Sequence, residues 1–513
     1  MESTTSTPGQ LRQSHRSDTF HEQTGDRTQP IDGSNPAQLW AGAAKVDITH
    51  TDAGPVNDPL YAKALVLMSD ATTAVIVTVD AVAIAEIGSI RSDYLTNVRS
   101  KLHAELGIEP TSVLINASHC HGRVCADVEQ RTVQAVREAW HNLVPVEVGT
   151  GAGHEDRIME NRRLKLKSGK EADVRHAYSL PPDEEVVGVG PVDPQIGILR
   201  LDRPNGQTLA VVYNFACHPI QGVPNGGNTA DLTGFASRVI EDTLGDGAIA
   251  LFLQGCAGDV NPILYKDVDH PRDAESLGNM LGLSTMHALR SIRSGNDGTL
   301  RVISDIIELP RADLALRIAS LQVELTQLLQ SLKGTSLNLK TFLPLVVKYS
   351  LSPAFPSYYS HRYLHERMVG KEDLKTHDEN NRANIDQYIG NIYTMEQLTR
   401  VQVNLDLLRK HQTRNMAAGK STIDVEVLGL RIGDFVLVTF PGELSAQIGL
   451  NIKNMSPHRF TFVAGVTNGY IYYTPTEEQL KNVGGAQEDS DCIVAPGWQM
   501  IFEEKVADLL QRL

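Results

Sequence analysis

Cysteine is scarce. The 513 residues contain only Cys120, Cys125, Cys217, Cys256 and Cys492, and no Cys-x-x-Cys pair. So sparse and odd-numbered a set argues against a disulfide scaffold and points to a reduced, cytoplasmic setting. Long apolar runs are missing as well: nowhere do about 18 such residues follow one another, so no transmembrane segment is expected. Positive charge is in deficit, with 47 Lys and Arg against 62 Asp and Glu and a formal net charge of −15. That balance repels phosphate backbones and argues against a general nucleic-acid binder, although it leaves room for a small basic pocket. Residues 1–38 lack the apolar stretch of a secretory signal. They are polar, rich in Ser, Thr, Gln and Asp, and read as a flexible tail unable to bury enough surface to order itself.

What is present suffices for a large core, since 41% of the residues are hydrophobic. Length alone suggests about three domains of ~150 residues, but the patterning points elsewhere. From Leu39 onward, β-branched apolar runs recur at Leu65–Leu67, Thr73–Val79, Ser112–Asn116, Leu209–Phe215, Ala248–Leu253, Phe435–Thr439 and Phe460–Val463. Helical stretches lie between several of them, at Ile90–Leu106, Val128–Asn142, Gly234–Leu244 and Ala274–Ile292. Alternation of this kind predicts an α/β fold with a mixed β-sheet flanked by helices on both faces. Residues 311–415 differ: Ala312–Leu332 and Asn384–His411 carry Leu and Ile at helical spacing, with Pro353 and Pro356 interrupting between them. The expected organisation is therefore a tail at 1–38 and one α/β domain at 39–513, interrupted by a helical insertion at 311–415.

The chemistry gathers where strands end. Exits follow at Ser118-His119-Cys120-His121-Gly122, Ala216-Cys217-His218-Pro219, Gly255 to Pro262, Phe440-Pro441-Gly442-Glu443 and Asn468 to Tyr473. Open α/β folds place ligands at the carboxyl ends of strands. His, His, Asp, Glu and Tyr at five such exits are nitrogen and oxygen donors that suit a borderline divalent ion such as Zn²⁺ with one open position. The flanking glycines fit close approach of backbone to a bound group.

Each element has a plainer reading too. A His-x-His diverges if its exit is a turn, and His218 before Pro219 can be a turn histidine. Glu443 can sit favourably in the first turn of the next helix, Tyr473 can be core, and Asp259 can brace its own loop through backbone amides. Gly255 to Pro262 is a weak phosphate cradle because no Gly-Lys-Ser/Thr follows. Only their joint occurrence at strand exits favours a metal site.

From about Trp40 to the end, the insertion apart, the chain resembles the amidohydrolase domain of neutral (non-lysosomal) ceramidases and their bacterial relatives. The resemblance rests on ordered motifs: Ala-Ala-Lys-Val-Asp-Ile-Thr at 43–49, Asn-Ala-Ser-His-Cys-His at 116–121, Glu-Asn-Arg-Arg at 160–163 and Asn-Phe-Ala-Cys-His-Pro at 214–219. It continues through Ala-Asp-Leu-Thr-Gly-Phe-Ala-Ser at 230–237, Gly-Asp-Val-Asn-Pro at 258–262, Pro-Gly-Glu at 441–443 and Asn-Gly-Tyr-Ile-Tyr-Tyr-Thr-Pro-Thr-Glu-Glu at 468–478. It implies one Zn²⁺ held by His119, His218, Glu443 and Tyr473, with His121 contacting the reacting amide and Arg162 near the substrate. The implied activity is hydrolysis of a C–N amide bond of an N-acylated lipid or small molecule by metal-activated water. Asp259 is expected to orient a ligand histidine or the water.

The departures are specific. Asn261 stands where ceramidases have serine, and an amide is no nucleophile; a role in hydrogen bonding remains. A tyrosine about a dozen residues after Tyr473 is absent from Val483-Gly484-Gly485-Ala486-Gln487. Gly122-Arg123-Val124 replaces a Ser-Gly-Pro, and Arg123 is either a solvated surface cation or a contact for an anionic substrate group. His361-x-x-x-His365-Glu366 reads as a surface coincidence rather than a second metal site. A C-terminal β-sandwich domain like that of full-length ceramidases is not expected. An esterase or lactonase using the same metal, and an inactive metal-retaining binding protein, are the alternatives; the sequence is silent on oligomeric state.

Overall fold

The computed structural model describes residues 38–513 except 71, 175–179, 223–226, 264, 266–268, 270–272 and 483–484. The expected polar tail, Gln38 apart, lies outside the described residues, as do Val483 and Gly484. The architecture is α/β with mixed sheets, but the expected single sheet is replaced by three larger ones. The first runs Val113–Ala117, Thr72–Val79, Tyr61–Ser69, Trp40–Asp47 and Val144–Pro145 in spatial order. The second runs Ile249–Gln254, Thr208–Phe215, Gln195–Asp202 and Glu147–His154, and the third Leu300–Pro310, Thr422–Ile432, Phe435–Thr439 and Phe460–Ala464.

Strict alternation along the strands explains this arrangement. Leu65, Leu67, Ile76 and Leu114 of the first sheet share one apolar cluster with Val212, Leu251 and Leu253 of the second and Leu430, Leu437 and Phe462 of the third. The intervening residues point the other way. Val66, Val75, Val77 and Ile115 pack with the helices Tyr94–Leu106 and Val128–His141. Val211, Tyr213 and Phe252 pack with Asp231–Leu244 and Glu275–Leu289. Each sheet thus has helices on one face and the other sheets on its second face. A strand buried on both faces has the same apolar run in either case, which is why sequence patterning did not separate one sheet from three.

Each large sheet contains one parallel pair: Thr72–Val79 with Val113–Ala117, Thr208–Phe215 with Ile249–Gln254, and Phe435–Thr439 with Phe460–Ala464. Buried side chains fasten these ends to one another. Asn116 Nδ2 donates to the Gly465 carbonyl (2.8 Å), while its Oδ1 accepts from the Gln254 amide (2.9 Å), so one side chain ties all three sheets. Asn214 Nδ2 adds a bond from the second sheet to the Val463 carbonyl of the third (3.0 Å). Burying these amides is tolerable only because their polar atoms are paired.

The insertion springs from the open end of a long hairpin in which Leu300 to Pro310 pair with Ile432 to Thr422. Its helices are Ala315–Ser331, Leu339–Leu351, Ser360–Met368 and Asp373–Ala417. The two leucine-rich stretches are helical as expected. The Leu339–Leu351 helix escaped the sequence reading because it contains Pro344; an Asn338–Thr341 capping box starts it. The 45-residue helix also reaches the body: His411 Nε2 meets Asp491 Oδ1 at 2.6 Å, and Arg414 Nη1 donates to the Tyr472 hydroxyl at 3.0 Å.

Candidate metal centre

All six parallel strands send their carboxyl ends toward the proposed donors. Ser118 and His119 continue beside the end of Thr72–Val79, with the His119 amide donating to the Ala81 carbonyl (2.9 Å). His119 is held at φ +67°, a left-handed conformation that costs a non-glycine residue roughly 1–2 kcal/mol. Val466, Asn468 and Tyr472 in the facing loop also have positive φ. Strain of this kind persists where surrounding contacts over-determine the backbone, and it commonly marks functional loops. Gly258 shows why the glycine-flanked exit is needed: a Cβ there would lie 2.5 Å from the Glu443 carbonyl oxygen, and its amide donates to the Leu444 carbonyl (2.8 Å). Glu443 and Tyr473 face each other across a two-residue parallel strand pair.

Three donors converge. The ligating atoms of His119, His218 and Glu443 all lie within 4.8 Å of one another, and all three residues are buried. His119 Nδ1 bonds the Val82 carbonyl (2.6 Å), and His218 Nδ1 bonds the Val260 carbonyl (3.1 Å). A carbonyl only accepts, so both Nδ1 atoms carry hydrogen and the Nε2 atoms of the neutral rings offer lone pairs. These Nε2 atoms stand 3.2 and 2.9 Å from the same Glu443 oxygen, Oε2. The other carboxylate oxygen, Oε1, accepts from the Tyr470 hydroxyl. Lone pairs so placed repel unless protons or a cation lie among them. The donor set, with a backbone carbonyl holding each ring, fits a borderline divalent metal. Among the described residues no other group of three His, Cys, Asp or Glu side chains comes together in this way.

The electrostatics follow from burial and this shared oxygen. Burial pulls His218 down to about 4, opposed by its hydrogen bond to Glu443. Burial acts the same way on His119, but the charge and hydrogen bond of Glu443 outweigh it and raise the imidazole. Burial would raise Glu443; the two imidazoles instead hold its carboxyl well below the usual carboxylate range. The Cys120, Cys217 and Cys256 thiols are pushed up by burial, so they are packed side chains rather than nucleophiles.

The remaining candidates take different places. The Tyr473 hydroxyl lies 3.5 Å from His218 Nε2. His121 is exposed, its ring edge-on to His119 at 5.7 Å. Asp259 does not orient a ligand histidine, because both Nδ1 positions are taken by carbonyls. Its Oδ1 accepts from the Ala446 amide (2.8 Å) and its Oδ2 from Gln479 Nε2 (3.1 Å), fastening the segment after Glu443. Arg162 is 0% exposed: Nε pairs with Glu488, Nη1 donates to Asn261 Oδ1 (3.0 Å), and Nη2 donates to the Gly258 carbonyl. Its guanidinium carbon lies 5.4 Å from the Tyr473 ring centroid. Arg162 is therefore built into the wall behind Tyr473 rather than set at a surface. Asn261 Nδ2 is buried without a hydrogen-bond partner among the described residues. Arg123 is exposed. Tyr470 and Glu488 escaped the sequence reading, although Tyr470 sits in the same motif as Tyr473.

The turn that presents the Val82 carbonyl begins at Asp80, whose Oδ2 accepts from the Tyr61 amide (2.9 Å). Burial raises its carboxyl to about 6, against the charge of Lys63 and the Tyr61 bond. A folded value above the unfolded 3.8 means that the folded state holds the proton more tightly. That contribution to stability is complete below the unfolded value and is lost as pH rises through about 6. Asp80→Asn is therefore expected to gain stability on the wild type by on the order of 2 kcal/mol between pH 4 and 7, read by urea denaturation. A pH-independent difference would show that Asp80 titrates normally.

No protein-family model and no curated protein matches the sequence. Solved structures match the fold. The neutral ceramidase from Pseudomonas aeruginosa superposes with a TM-score of 0.58 at 15% identity, over 93% of this chain and 75% of that one. A ceramidase complexed with C2 gives the same TM-score and identity over 93% of this chain and 76% of the other. At that identity the likeness is one of fold: the chain has a ceramidase-like α/β fold.

Proposed function

We propose that the chain is a divergent relative of the neutral ceramidases and a zinc-dependent hydrolase that cleaves a C–N amide bond of an N-acylated lipid or small molecule. The observation that carries this reading is the convergence of two imidazole Nε2 lone pairs on one carboxylate oxygen, each ring fixed by a backbone carbonyl. The ceramidase-like fold supports the reaction class. His119, His218 and Glu443 would hold the ion, with Tyr473 as the fourth ligand on the His218 side. When bound, Zn²⁺ supplies Lewis acidity for a substrate carbonyl and lowers the pKa of water. Exposed His121 then donates a hydrogen bond to the carbonyl oxygen or passes a proton to the departing amine. Arg162 keeps Asn261 Oδ1 engaged, which leaves the buried Asn261 NH₂ as a donor for a bound substrate.

Elemental analysis of the purified protein, with hydrolysis of paired N-acyl amides and the corresponding esters before and after chelation, tests the proposal. About one zinc per chain and chelator-sensitive cleavage of amides are expected. Protein without stoichiometric metal refutes the zinc assignment. Metal with turnover of esters only transfers the reading to an esterase, and metal without turnover of either class to a binding protein.

A further inference from the structure

Outside the metal centre, the helical segment at 339–371 carries a feature of its own. In the Leu339–Leu351 helix, Phe342 and Tyr349 are buried against the insertion's own core, which fixes the inner face. The opposite side carries Leu339, Leu343, Val347 and Leu351, spaced by four residues and all exposed, Leu351 to 81%. In and beside the next helix, Tyr359 (78%) and Met368 (84%) are exposed as well. Exposed apolar residues scattered singly need no explanation; a continuous stripe of them marks an interaction surface.

The charge of the same segment identifies what it meets. In a chain of net charge −15, residues 339–371 contain Lys340, Lys348, Arg362, Arg367 and Lys371 against a single acid, Glu366. All five cations are exposed. The acid is turned inward, its Oε2 accepting from the Leu374 amide at the start of the long helix. The Arg362 guanidinium lies 4.9 Å from the centre of the exposed Tyr358 ring, an arrangement suited to a boundary with one apolar and one wet side.

From this combination we infer that residues 339–371 form a docking surface for an anionic lipid bilayer, the apolar stripe entering the acyl boundary and the cations meeting lipid phosphates and carboxylates. An apolar face flanked by Lys and Arg, short of a spanning length, is the pattern of an interfacial helix. Among the described residues no helix is long and apolar enough to cross a membrane, so the contact is peripheral. A second copy is disfavoured as the occupant because pairing these faces would bring two sets of cations together.

Vesicle flotation of the full chain tests it, using phosphatidylcholine vesicles with and without phosphatidylserine, at low and high salt. Binding is expected with phosphatidylserine only and weakens at high salt. Leu351→Ser with Met368→Ser, and separately Lys340→Glu with Arg367→Glu, are expected to lower the partition coefficient by roughly tenfold or more. All four positions are exposed, so melting temperature and zinc content should stay at wild-type values. Equal binding to both vesicle types, wild-type binding by either variant, or no binding at all overturns the inference. Concentration-dependent self-association abolished by Leu351→Ser with Met368→Ser, without vesicle binding, would assign the face to a second copy instead. Vesicle binding is read without turnover, so a failure of the hydrolase assignment leaves this result distinguishable.

Discussion

His119→Ala is expected to remove stoichiometric metal and, with it, chelator-sensitive hydrolysis. His119 supplies one of only two nitrogen donors, and its Nε2 faces Glu443 Oε2 at 3.2 Å. Losing it leaves one imidazole, one carboxylate and the Tyr473 phenol, a weaker donor set with a single nitrogen in place of the two that the proposed four-ligand site contains. Lewis-acid stabilisation is worth several kcal/mol, so loss of the ion should lower the rate by on the order of 10³ or more. Backbone strain complicates alanine, because residue 119 sits at φ +67°. His119→Asn separates the effects, since asparagine visits the left-handed region more readily. Both variants should lose metal by elemental analysis, and the asparagine variant should be the more stable in thermal melts. A metal-loaded, active His119→Asn protein would refute the ligand assignment.

Arg162→Met is expected to be among the most destabilising single changes near the centre. Arg162 and Glu488 are each only 1% exposed in their side chains. Removing one partner of a buried pair strands the other charge, typically at about 3–5 kcal/mol. The lower end applies here, because Arg163 Nη1 also approaches Glu488, at 3.4 Å. A second change, Glu488→Leu, should recover a substantial part of the loss by removing the stranded charge. Urea denaturation of the two single variants and the double variant checks this. Additive losses would show that the two side chains are not coupled and that the wall behind Tyr473 owes little to their pairing.

Both expectations depend on details of different legibility. The amino-acid sequence by itself determined the runs that become strands, the places where they end, and the donor types at those ends. It also marked two helical stretches, because Leu and Ile at helical spacing over 312–332 and 384–411 contrast with the β-branched runs on either side. These features are local: side-chain alternation and periodicity follow from backbone geometry alone. Only the tertiary structure decided that the apolar runs form three sheets and that Asn116 ties their ends together. A buried face records that it is covered, not what covers it. Tertiary structure likewise decided that the Val82 and Val260 carbonyls set the histidine tautomers, since a backbone carbonyl leaves no side-chain signature in a sequence. It gave both histidine Nδ1 atoms to carbonyls and Asp259 to the Ala446 amide and Gln479. It also placed Arg162 in a buried wall by pairing it with Glu488, 326 residues away. Attraction between two charges depends on their separation in space and on the water excluded around them, and separation along the chain measures neither.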